Sequence, residues 1–147
     1  DDAWLAGLVG AVEAAGAALV VTGSVDGRVQ WEPVHPADGD MAAAYARHQA
    51  GDKGFGAALG TAAPARLAER LEAVGRRVTL ARGDWNRIGD PALQRAYLAG
   101  VVDALAEHGV DADALTAWKG FRLDAIETAA SRLTVGHVDL FAAPRVA

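Results

Sequence analysis

Ala17-Ala-Leu-Val-Val-Thr22 is the stretch whose reading decides the fold. A continuous apolar run centred on Leu19, Val20 and Val21 is the pattern of a strand buried on both faces, as in a parallel sheet. Upstream, Leu5, Leu8, Val9 and Val12 repeat at helical spacing, Asp1 or Asp2 can cap the first turn, and Gly16 can end it. The spacing therefore predicts a helix over about 2–15, and a helix leading into an apolar strand is half of an α/β unit. Downstream, Asp26-Gly27 predicts a tight turn, with a short extension through Val29, Gln30 and Trp31 that Pro33 and Pro36 close.

Farther along, Asp40 is positioned to cap a short helix through Met41, Tyr45 and His48, and Gly51, Gly54 and Gly56 then interrupt regular structure. Pro64 opens a helix carrying Leu67, Leu71 and Val74, and Gly75 stops it before an alternating strand over 77–82. Asp90-Pro91 starts a helix over 90–108, Asp113 starts another to about Ala130, and 131–142 reads as a final strand. The fold class is α/β: a single domain over 1–147 with three main strands and flanking helices.

At 147 residues the chain is long enough for one core, and 52% hydrophobic content against 22% charge excludes disorder as its main state. A net charge of −5 opposes binding to nucleic acid or to an anionic membrane, so neither is an expected partner. The absence of cysteine removes disulfides, thiolate nucleophiles and sulfur-based zinc sites. Alanine is about a quarter of the chain and arginine outnumbers lysine twelve to two, so helix propensity discriminates poorly. Glu13 and Gly16 interrupt the stretch from Trp4 to Thr22, and no basic segment precedes it, so it is neither a membrane span nor a signal peptide; the expected location is the cytoplasm.

Strands joined by a crossover helix are usually parallel, so 17–22 and 77–82 are expected side by side, with ligands bound beyond their C-terminal ends. That topology gathers His35, Tyr45, His48, Asp52, Lys53, Asp84, Trp85 and Arg87 on one rim. Asp52-Lys53, between glycines, is a candidate for positioning a substrate or, alternatively, a solvated ion pair. An unperturbed imidazole changes charge near neutral pH, so His35 and His48 are candidate acids or bases, though hydrogen-bonded structural histidines are commoner. Trp31, Phe55 and Trp85 are candidates for an apolar wall or for packing. His137 and Asp139 share one strand face, where a structural tether is the favoured role. The spacing of His35, Asp38, Asp40, His48 and Asp52 matches no metal-ligand pattern, and Ser24 and Ser131 lack the context of a serine hydrolase, so no metal is expected and no catalytic residue is assigned.

The strings Arg47-His-Gln-Ala-Gly-Asp-Lys-Gly-Phe-Gly56, Asp84-Trp85 and Leu133-Thr-Val-Gly-His-Val-Asp-Leu140, with this order of elements, resemble the C-terminal half of a bacterial class I S-adenosylmethionine-dependent methyltransferase. The resemblance covers nearly the whole chain. It implies part of a Rossmann-like sheet whose last strand is antiparallel, a substrate-side loop over 23–63 and a helical insertion over 89–130. It also implies methyl transfer to a small-molecule or protein acceptor, with His35, Tyr45, His48, Asp52, Lys53, Phe55 and Trp85 on the substrate side. The glycine-rich cofactor loop of such enzymes is missing: Gly7-Leu-Val-Gly10 and Gly51 to Gly56 neither follow a buried strand nor open a helix. S-adenosylmethionine is thus expected only in a complete protein, and the chain, beginning Asp1-Asp2-Ala3-Trp4, is expected to be a fragment without activity of its own. The alternative is a non-catalytic α/β module that pairs with a partner, or with itself, through an exposed sheet edge.

Overall fold

The computed structural model describes residues 1–52, 54 and 56–144. In chain order they form α1 (Asp2–Ala15), β1 (Leu19–Glu32), α2 (Asp38–Gln49), a 3-10 turn at Gly60–Ala62, α3 (Ala63–Ala73), β2 (Val78–Arg82), β3 (Trp85–Ile88), α4 (Pro91–Glu107), α5 (Ala112–Glu127) and β4 (Arg132–Ala142). Helix starts follow capping chemistry. Asp1 Oδ1 accepts the Trp4 N–H at 2.7 Å, and Asp90 Oδ1 accepts those of Ala92 and Leu93 at 2.8 and 3.0 Å, with Pro91 in the first turn. α5 is capped by Asp111, whose Oδ1 accepts the Ala114 N–H at 2.9 Å, two residues ahead of the expected Asp113. α2 likewise begins at Asp38 rather than after Asp40. Gly16, at φ 58°, takes the left-handed conformation that ends α1.

The sheet has the order β1-β4-β2, with β3 also pairing to β4, and its pairings are antiparallel. The last strand is antiparallel, as expected, but β1 and β2 are not neighbours. β4 lies between them and supplies the ladder partners that each was expected to find in the other. Three further expectations are overturned. Asp26-Gly27 is no reversal: β1 runs on to Glu32, with Gly23 at φ 72° and Gly27 at φ 89° bending the strand without turning it back. β1 is not buried on both faces: Val20 is 64% exposed. A fourth strand, β3, pairs Trp85 with Val135 and Ile88 with Leu133, with a register shift between the two pairs. The span 23–63 holds most of β1, all of α2 and the 3-10 turn.

The chain divides into two compact units, one of Asp1–Asp26, Ala50–Asp84 and Gly136–Ala147, the other of Gly27–Gln49 and Trp85–Val135. In the first, Leu5 and Val9 of α1 and Leu67 and Leu71 of α3, each pair one helical turn apart, bury against Leu140 and Ala142 of β4. Arg76, 4% exposed, closes this unit. Its guanidinium pairs with Glu13 and donates to the carbonyls of Val12 at 3.0 Å, Ala17 at 2.6 Å and Ala143 at 3.3 Å, joining the end of α1 to the end of β4. In the second unit, Leu98, Val101 and Leu105 of α4 and Leu115, Trp118 and Ile126 of α5 pack with Trp31, Met41, Leu133 and Val135.

Candidate functional site

The densest polar constellation among the described residues is in the second unit, where the N-terminus of α2 meets α5. Trp118 and Arg122 are four residues apart and so share the buried face of α5, Trp118 being 2% and Arg122 0% exposed. Asp38, in the first turn of α2, receives both. Its Oδ1 accepts the Trp118 indole N–H at 2.8 Å and the Arg122 guanidinium, and its Oδ2 accepts the His35 backbone N–H at 2.8 Å. Arg122 Nη1 also donates to the Pro33 carbonyl at 2.6 Å, beyond the cis Glu32–Pro33 bond. The guanidinium carbon lies 5.3, 5.8 and 5.1 Å from the ring centroids of Trp31, Trp118 and Phe121, so the cation is boxed by aromatic rings. Burial pushes the Asp38 carboxyl up, but its Trp118, His35 and Arg122 donors outweigh burial and hold it below the ordinary carboxylate range.

His35 is fixed beside this clamp. Its Nδ1 accepts the Ala37 N–H at 3.1 Å and its ring packs 4.8 Å from that of Phe121. A backbone N–H can only donate, so the neutral ring carries its proton on Nε2 and offers a donor there. In that state His35 is a hydrogen-bonding group. Asp38 has donors on both oxygens and is no free base either.

Tyr45, on α2, lines a cavity with Trp31, Asp38, Met41, Tyr97 and Trp118. Its volume is about 10 Å³, which leaves room for no more than about one water, so the aromatic side chains largely fill it. The Trp31 ring stands edge-on to Trp118 at 6.5 Å and 86°, and 6.2 Å from Tyr97. Burial, with a smaller effect from Tyr45, pushes the Tyr97 hydroxyl above its ordinary range and keeps it protonated.

The remaining predicted residues do not join this constellation. His48 lies at the far end of α2, about 15 Å along the helix from Asp38, where Nε2 pairs with Glu107 Oε2 at 3.0 Å. Trp85 is on β3 and is 46% exposed. Arg87, at φ 50°, pairs with Glu32 at 2.7 Å. Asp52 belongs to the first unit, where its Oδ1 accepts the N–H groups of Gly54 and Gly56 at 2.7 and 3.0 Å and organises its own loop. Lys53 and Phe55 lie outside the described residues. Also in the first unit, Asp84 accepts the His137 N–H at 3.1 Å, and Asp139 Oδ1 accepts the Gly23 N–H at 2.9 Å, so both act as tethers within the sheet. Sequence reasoning missed the joint use of Asp38, Trp118 and Arg122. The available signal was Arg122 interrupting the apolar stripe of α5 one turn after Trp118.

Among the described residues, no group of three or more His, Cys, Asp or Glu side chains is arranged to hold a metal, and no helix is long and apolar enough to cross a membrane. No family model, curated protein or solved structure matches the chain.

Proposed function

We propose that this chain forms the acceptor-side half of a bacterial, cytoplasmic class I S-adenosylmethionine-dependent methyltransferase domain, Rossmann-like in type and inactive alone. The observation that carries this reading is the position of β4: an antiparallel last strand, reached through the helical excursion of α4 and α5, lies between two strands that precede it in the chain. The end position of β1 in the sheet supports it further, since an end strand offers a free ladder edge to a further strand.

The described residues do not fit the cofactor. Gly7 and Gly10 lie inside α1, no glycine separates β1 from α2, and Gly89 is the one glycine between β3 and α4. No step is therefore assigned through it here. Methyl transfer depends chiefly on holding the acceptor in line, so this chain contributes positioning. His35 supplies a donor at Nε2 and Tyr45 an apolar face, with a small molecule or protein as acceptor.

Two measurements test the proposal. Titration calorimetry of this chain with S-adenosylmethionine is expected to show no binding, and micromolar affinity would sink the half-domain reading. The coding sequence upstream of Asp1 is expected to contain a glycine-rich strand-to-helix turn. Without one, the reading gives way to a non-catalytic module that pairs, with itself or a partner, through the β1 edge, which the exposure of Val20 also favours.

A further inference from the structure

The first unit contains an apolar cavity of about 170 Å³, bounded by α1, β1, α3 and β4. Leu5 and Leu8 come from α1, Leu67 from α3 and Leu140 from β4, and Ser24 on β1 is the one hydroxyl-bearing residue of the lining. Trp4, also lining it, is 63% exposed and marks the mouth. Aliphatic walls give water few hydrogen-bond partners, and an enclosed apolar cavity of roughly 150 Å³ takes up a benzene-sized ring. An empty space leaves the lining side chains without dispersion contacts on one side, so an apolar occupant of matching size gains them.

We propose that this cavity binds a small one-ring aromatic molecule carrying a single hydrogen-bonding group, a phenol. The ring packs against Leu5, Leu8, Leu67 and Leu140, and the phenolic oxygen meets the Ser24 hydroxyl. The site is separate from the Asp38–Arg122 constellation and does not depend on the methyl-transfer reading.

Calorimetry and ligand-observed NMR on the 147-residue chain, with phenol and toluene as probes, test the site. Both are expected to bind saturably. Ala63→Leu, which fills the cavity from its α3 wall, is expected to abolish both, and Leu8→Phe fills it independently should the first variant fold poorly by circular dichroism. Ser24→Ala is expected to weaken phenol roughly tenfold and leave toluene unchanged. No saturable binding at millimolar probe overturns the proposal, as does binding that a folded cavity-filling variant leaves intact. Equal effects of Ser24→Ala on both probes overturn the assigned hydroxyl contact.

Discussion

Replacing Asp38 by alanine removes the acceptor for Trp118 Nε1, the His35 N–H and the Arg122 guanidinium together. Arg122, 0% exposed, would keep its bond to the Pro33 carbonyl and lose its counter-charge. Breaking a buried pair by deleting one partner typically costs about 3–5 kcal/mol, because the survivor is an uncompensated charge in a medium that solvates it poorly. Set against a total stability of about 5–15 kcal/mol, this is a large fraction, and for a chain of this size it corresponds to a fall in Tm of roughly 10 °C. Arg122→Met should cost a comparable amount, as it leaves Asp38 without its cation and the aromatic box without its filling. In the double variant neither charge remains, so its loss should fall short of the sum of the two single losses by about 2 kcal/mol or more. Urea unfolding followed by circular dichroism and tryptophan fluorescence supplies all three values. A loss under about 1 kcal/mol for Asp38→Ala, or strict additivity in the double variant, refutes the clamp.

The same carboxylate sets a pH dependence. Its folded pKa is depressed, so its stabilisation is fully present above the unfolded value near about 4 and is lost as pH falls through the folded one. The stability gap between the parent chain and Asp38→Ala should stay constant from about pH 8 to about pH 5 and narrow below about pH 4; a gap already closing at about pH 6 in urea titrations contradicts the assignment. In Gly83→Ala, the new Cβ would lie 2.8 Å from Asp139 Cγ, forcing that carboxylate off the Gly23 N–H. A loss of about 1–3 kcal/mol is expected, with little added by Asp139→Ala in the same background, and additive losses would show that the two residues do not interact. Val20→Lys places a charge on the exposed face of the β1 edge and should shift any self-association toward monomer in sedimentation velocity; a parent chain monomeric at about 100 μM refutes pairing through that edge.

The helices were legible because their limits are local chemistry: an aspartate accepting amides within three residues, a proline in the first turn, a glycine at positive φ. The sheet was less legible. Asp-Gly marks a turn only if the chain reverses around it, and β1 runs on through Gly23 and Gly27, both at positive φ, to Glu32. Nothing local to Trp85-Asn-Arg-Ile88 marks a strand, since β4 gives it a ladder. The constellation around Asp38 was hidden for a related reason. An arginine in an amphipathic helix is ordinarily assigned to solvent, and only tertiary packing reveals that Arg122 lies inside, held by an acid 84 residues away in sequence. His35 and Tyr45 lie beside it, whereas Asp52 accepts the amides of its own loop.

The order β1-β4-β2 has a consequence for biosynthesis. The middle strand follows β1, β2, α4 and α5 in the chain, so β1 and β2 emerge from the ribosome before the strand that separates them. The Arg76 guanidinium is in the same position, since one of its acceptors, the Ala143 carbonyl, lies 67 residues downstream. The first unit therefore completes itself only once β4 has been made, and the unsatisfied edges of β1 and β2 are open to chaperones, or to neighbouring nascent chains, throughout that interval.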